Sequence, residues 1–128
     1  MVDAMLLELA AGPNFATFTT LLPDGSPQSS VMWFDVIEDF VVINTETHRL
    51  KYRNVQRDPR VALVVWDHAN PYRYVEVRGR VVRTEAGERA RTHIDAVSER
   101  YTGGPYSNPI TSQRVMLFIT PERQRRQG

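Results

Sequence analysis

The sequence contains no cysteine. That excludes disulfides, thiolate metal sites and thiol catalysis, and it fits the reducing cytoplasm, where we expect the protein to reside. Lysine is nearly absent as well: of 16 basic residues only Lys51 is a lysine, the others being arginine. Charge of one sign is not in excess. The formal net charge is +1 at pH 7, so nothing draws the whole molecule to nucleic acid or to an anionic lipid surface, and any anion site must be local. No run of about 18 apolar residues exists to span a bilayer. The opening "MVDAMLLELAAGPNF" has no basic segment before its short apolar stretch, which carries Glu8, so it is not expected to be a signal peptide. Metal-ligand spacing is missing too. His48, His68 and His93 form no HxxxH or HxH pair, and each is expected to be a surface or hydrogen-bonded histidine. Gly103-Gly104 is a lone glycine pair, not a phosphate fingerprint. No strand interleaves basic and aromatic residues as single-strand-binding barrels do, so neither nucleic acid nor membrane is an expected partner.

What is present reads as one folded domain, residues 1–128, with 41% hydrophobic residues. "DAMLLELAAG" suggests a short helix capped by Asp3 and ended by Gly12-Pro13. "FATFTTLL" and "QSSVMWFDV" suggest two strands joined by the turn "PDGS". Along the second strand, Ser30, Met32 and Phe34 face one way and Ser29, Val31 and Trp33 the other. "DFVVINTE" and "RVALVVWD" are further strands, separated by "HRLKYRNVQRDP", which breaks the pattern and predicts a helical turn or two. "RYVEVRGRVVRT" alternates, with Gly79 marking a bulge or a close backbone approach. "EAGERARTHIDAVSERY" places Ala90, Ile94, Val97 and Tyr101 at helical spacing. "RVMLFITP" is a last strand, and the polar "ERQRRQG" is expected to fray. About six strands with three helices and short connections favour a mainly β fold with peripheral helices, an antiparallel barrel that closes to remove its edges.

The single lysine sits in "NTETHRLKYRN". If residues 49 to 53 are extended, Arg49, Lys51 and Arg53 share a face, with Arg49 and Lys51 roughly 6.6 Å apart along the strand, which suits two cations on one phosphate. If they are helical, Arg49, Arg53 and Arg57 form a solvated row instead. A turn entering a helix would add free backbone N–H groups to an anion site, with Thr45 and Thr47 as capping or phosphate-binding hydroxyls. Residue pattern alone leaves these readings open. Asp35, Glu38 and Asp39 crowd one turn and are expected to be solvated. Trp33, Tyr72, Tyr74, Tyr101 and Tyr106 either border a pocket or pack in the core.

The stretch "DGSPQSSVMWFDVIEDFVVINTETHRLKYRNVQRDPRVALVVWD" carries a first hairpin with "DG-P", a strand ending in an aromatic pair, and a basic "R-x-K" followed by "RN…DPRV". Together with "RYVEVRGRVV" and "ERYTGGPY", it resembles the pyridoxamine 5'-phosphate oxidase-like superfamily from about Phe15 to Phe118. In detail it is most similar to the actinobacterial branch that uses the deazaflavin coenzyme F420. The resemblance implies a split antiparallel β-barrel of the FMN-binding type, a homodimer, and a flavin-type cofactor in a groove between subunits. By the same resemblance, Arg49 and Lys51 hold the cofactor phosphate and Asn54 follows them in the "RN" motif. Gln28, Ser29, Ser30, Val31 and Trp33 lie along the ring system, Asn44 and Thr45 lead into the phosphate site, and Trp66, Pro71, Tyr72 and Arg73 are contributed by the partner subunit.

The lack of a nucleophile triad or metal site suits an enzyme whose cofactor carries the chemistry. The implied activity is hydride transfer from reduced F420 to a small unsaturated or quinone-like molecule. The alternatives are the same barrel with FMN, and a module that binds or stores the cofactor without turnover. Pyridoxamine 5'-phosphate oxidase activity itself is the weaker reading, because "PERQRRQG" lacks the aromatic-flanked "RL-P" ending expected for a substrate phosphate.

Overall fold

The computed structural model describes Met1–Gly128. Asp3 starts α1 (Ala4–Ala10) by accepting the Met5 N–H at 2.8 Å, which satisfies one of the free donors of a helix N-terminus. The helix buries Met5, Leu6, Leu9 and Ala10. β1 (Phe15–Leu21) and β2 (Pro27–Met32) form the first hairpin. Its turn is closed by Asp24, which accepts the N–H and hydroxyl of Ser26, while Gly25 supplies a positive φ of 84°. Then follow β3 (Asp35–Ile37), β4 (Phe40–Glu46), α2 (Leu50–Arg57), β5 (Arg60–Trp66), β6 (Tyr74–Ala86), α3 (Glu88–Thr102) and β7 (Arg114–Gln127).

All strand pairs are antiparallel, in the order β2-β1-β5-β6-β7-β4-β3. This is a split barrel: the sheet curls but does not close, leaving β2 and β3 as edges. α1 fills the hollow, where Leu6 and Leu9 join Phe18, Leu63, Val65, Val75, Val77, Leu117 and Ile119 in one core. A smaller cluster of Val42, Ala90, Met116 and Phe118 lies under α3. β4 and the first half of β7 are therefore covered on both faces, which is why "VVIN" and "VMLFI" read as continuous apolar runs.

Several expectations are corrected. There are seven strands rather than six, because the chain leaves β2 after Met32 and Trp33 is not in a strand; β3 begins at Asp35 and pairs only with β4. The open edges replace the expected closure. The tail does not fray, since β7 runs to Gln127 and stays paired with β6 as far as Tyr74. α3 begins at Glu88, and Glu85 and Ala86 remain in β6.

Gly79 fulfils its expectation. The β6–β7 register shifts between Arg78 and Gly79, and a Cβ there would meet the Thr120 carbonyl oxygen at 1.9 Å and its carbon at 3.0 Å. Asp35 does not. Rather than being solvated, it accepts from His93 Nε2 at 3.0 Å and pairs with Arg100 at 3.0 Å. Arg100 also donates to the carbonyls of Ala10 and Phe34, so one carboxylate ties α1, β3 and α3 together. Burial pushes the Asp35 carboxyl up, but the His93 hydrogen bond and the Arg100 charge outweigh it and hold it below the ordinary range.

Two outcomes follow for unfolding measurements. Gly79→Ala forces the β6 and β7 backbones apart and costs about 3 kcal/mol in urea unfolding; a loss under about 0.5 kcal/mol, the level of ordinary surface changes, would show that no close approach exists. Asp35 has a folded pKa below its unfolded one, so its contribution is complete above the unfolded value and disappears as pH falls through the folded value. Asp35→Asn therefore costs about 1–3 kcal/mol near pH 7, and its deficit against the parent chain narrows once pH drops below the usual carboxylate range.

Candidate functional site

At the end of β4 the chain turns into α2, and here the basic cluster takes its place. Arg49 is the N-cap, extended at φ −71° and ψ 146°, and makes no side-chain cap. Lys51 lies in the first turn. The segment is thus a turn entering a helix, and neither the extended strand nor the full solvated row. Thr45 and Thr47 do not cap it; Thr45 is buried in β4, and the Thr47 amide bonds to Gln113. The amides of Leu50 and Lys51 have no acceptor within the chain, leaving two donors at the positive end of the helix.

Arg49 and Lys51 both line a cleft of about 430 Å³, and neither forms an ion pair. Burial draws the Lys51 ammonium below the ordinary lysine range and the Arg49 charge adds to this. An anion in the cleft would relieve both effects. Glu46, the carboxylate that ends β4 just before the turn, is occupied. Its carboxylate accepts the Thr111 and Ser112 amides, both at 2.8 Å, and lies 3.6 Å from Arg114. Burial raises the Glu46 carboxyl, but the amides and Arg114 bring it below the ordinary value, so it stays ionised.

The opposite wall comes from β2 and the segment after it. Ser30, Val31, Met32 and Trp33 line the cleft. The Ser30 hydroxyl is the one buried side-chain polar atom without a partner, an exception in a folded interior that leaves it free to meet a molecule in the cleft. Trp33 stacks on Tyr101 at 4.6 Å with planes 8° apart and meets Tyr106 edge-on at 6.1 Å. Asn44 and Thr45 form the floor between the two walls. Arg114 enters from β7 with its guanidinium 4.9 Å from the Tyr106 ring centre. Burial is the largest influence on this guanidinium and lowers it, against the raising effect of Tyr106 and Glu46.

Seven of the residues expected at the site thus line one cleft: Ser30, Val31, Trp33, Asn44, Thr45, Arg49 and Lys51. The others lie elsewhere in the chain. Gln28 bonds to Thr20 and Ser29 to Thr19 along the first hairpin. Asn54 is fully buried, donating to Thr20 and accepting from Arg57, so it fastens α2 to β1. Trp66 packs on Phe15 at 5.4 Å. Pro71 and Tyr72 are exposed, and Arg73 pairs with Glu8 and Asp67. Sequence reading did not single out Phe15, Met32, Ile94, Asn108 or Arg114 as cleft residues. Only Arg114 carried a signal, as a lone cation at the start of an apolar strand.

The arrangement brings a cation pair with free amides, an unpaired hydroxyl and aromatic faces to one cleft. A cleft of this volume is within the range of small-molecule sites. These residues fit a ribityl-phosphate cofactor with a planar ring system. No group of three or more His, Cys, Asp or Glu is placed to hold a metal, and no helix is long and apolar enough to cross a membrane.

Known proteins share the sequence pattern and the fold of this chain. The family profile described as pyridoxamine 5'-phosphate oxidase matches residues 2–128. Among solved structures, an F420 reductase is 32% identical with a TM-score of 0.82, covering 97% of this chain and 98% of its own. A conserved hypothetical protein from Mycobacterium tuberculosis is 28% identical with a TM-score of 0.76, covering 99% of this chain and 84% of its own. General stress protein 26 from Bacillus anthracis, at 17% identity and a TM-score of 0.69, covers 95% of this chain and 90% of its own and shares the fold. No protein with a curated description matches the chain by sequence. From the profile match along nearly its full length, and from the split barrel it forms, the chain belongs to the pyridoxamine 5'-phosphate oxidase family.

Proposed function

We propose that the protein is a cytoplasmic oxidoreductase that binds reduced coenzyme F420 in this cleft and reduces a small unsaturated or quinone-like molecule. The observation that carries the reading is the pair Arg49 and Lys51, unpaired in a cleft beside two free helix amides. The likeness to an F420 reductase over 97% of the chain supports the choice of deazaflavin. The bound deazaflavin supplies the hydride. Arg49 and Lys51, with the Leu50 and Lys51 amides, hold its phosphate. The Ser30 hydroxyl hydrogen-bonds a ring heteroatom. Trp33 and Tyr106 flank the space for a flat substrate and exclude water from it. FMN is the second reading, favoured by the description of the matching family; it shares the phosphate grip.

The second subunit belongs to the same proposal. β2 is an open edge, and Val31, 62% exposed, stands on it at the mouth of the cleft. An unprotected edge bearing an exposed apolar residue is a pairing surface. A homodimer would cover it and close the cleft, with Trp66, Pro71, Tyr72 and Arg73 as the partner's contribution.

Fluorescence titration tests the cofactor. The protein binds F420 tightly and FMN weakly, and Lys51→Ala weakens F420 binding by about 1.5–3 kcal/mol, as for a lost hydrogen bond to a charged group, while urea stability holds or rises. Unchanged affinity in that variant rejects the phosphate assignment. Steady-state oxidation of reduced F420 against a panel of enones and quinones then separates an enzyme from a storage module; inertness across the panel favours the module. Sedimentation gives the oligomer: twice the 14.7 kDa chain mass is expected, and a monomer with cofactor bound rejects the interface site.

A further inference from the structure

His93 does not line the cleft, yet it touches a residue that does. Its side chain, 9% exposed, lies between Asp35 and Asn44, and the Asn44 amide makes contacts whose directions are dictated chemically. The Ala90 carbonyl can only accept, so it takes the Asn44 Nδ2–H at 2.9 Å. The Arg114 Nε–H can only donate, so it faces Asn44 Oδ1 at 2.9 Å. The second Nδ2–H points at His93 Nδ1, 2.9 Å away, which must therefore accept. The ring proton then resides on Nε2 and is donated to Asp35, itself held by Arg100. Turning the Asn44 amide over would set oxygen against the Ala90 carbonyl and N–H against Arg114.

We infer that His93 is a positioning residue for the anion site: by accepting from Asn44 it holds the Asn44 carbonyl on Arg114, and so presents the Arg114 guanidinium to the cleft as a third cation beside Arg49 and Lys51. The inference rests on the anion-binding reading of the cleft. Arg114 has two competing attachments. Asn44 binds it at Nε, and through its backbone carbonyl at Nη2, 3.2 Å away; Glu46 attracts it from 3.6 Å. If His93 is removed, a buried Asn44 N–H loses its acceptor, a state that folded interiors avoid. The amide keeps the Ala90 carbonyl as its remaining acceptor, but with one of its two Nδ2–H contacts gone it tilts to expose the freed N–H, and the Oδ1 contact to Arg114 lengthens. The guanidinium then shifts away from the cleft, tightening the 3.6 Å pair it already makes with Glu46.

The test is a binding cycle read by fluorescence with coenzyme F420 and, in parallel, FMN as probes. His93→Leu weakens binding about tenfold, and His93→Asn, whose Oδ1 can stand in for Nδ1 as acceptor, restores most of the loss. In an Arg114→Met background, His93→Leu has no further effect, because the two act through one path. Nitrogen-15 NMR of the parent chain shows His93 protonated at Nε2 and bare at Nδ1. The inference is overturned if His93→Leu binds like the parent while Lys51→Ala is weakened, if the His93 and Arg114 losses multiply, or if the proton is found on Nδ1. Should Lys51→Ala itself bind normally, the anion reading fails and the role of His93 with it. If His93→Leu does not fold, the His93→Asn titration and the NMR assignment decide.

Discussion

Two cations held side by side without a counter-charge set the terms for this molecule. Arg49 and Lys51 repel one another, and Lys51 is partly withdrawn from water, so their placement works against folding unless an anion arrives. The surrounding structure keeps that tension from being relieved internally. Glu46, at the end of the strand that leads into the pair, is engaged by the amides of Thr111 and Ser112 and by Arg114. The amides that begin α2 add their dipoles on the same side. On the proposed reading, an anion bound here would meet these charges and amides together.

That core is built around β4 and β7. Both are covered on two faces, by α1 and the inner sheet on one side and by α3 on the other. Their pairing brings Asn44 and Glu46 beside Arg114 across some seventy residues of sequence. Asn44, Glu46 and Arg114 therefore stand on strand segments that are buried on both faces, and strand-borne sites hold their geometry better than loop-borne ones. The chain Asp35–His93–Asn44–Arg114 runs through this region with donors and acceptors matched at each link, and ends on the ion pair of Arg114 with Glu46. By contrast Tyr106 and Asn108 reach the cleft from a connection whose ends are tied by Asp95 and Glu46, the kind of segment on which specificity varies.

Much of the fold was legible in local pattern. Asp3 before an apolar helix, "PDGS" between two β-rich runs, and Gly79 inside an alternating strand each announce a physical requirement at one position. What local pattern misread shows where tertiary contacts prevail. The arginine-rich tail appears too polar to order, but β6 is long enough to pair with it through Gln127, and ladder hydrogen bonds need no apolar side chains. Asp35 appears to be a surface carboxylate, until α3 brings His93 and Arg100 to it from 58 and 65 residues away.

The candidate site divides in the same way. The sequence by itself determined that Arg49 and Lys51 lie two residues apart in a basic segment and that no thiol is present; whether that segment is a strand, a solvated row or a turn entering a helix was left open by local pattern. Asn54 lies three residues beyond Lys51, yet its side chain is fully buried in the contact between α2 and β1, where it donates to Thr20. Which residues face the pair across the cleft, whether Glu46 would neutralise it, and how Arg114 is aimed depend on strand register between distant segments. Only the tertiary structure decided these, because hydrogen-bond direction and charge separation are set by the distance between side chains in space, which separation along the chain does not encode.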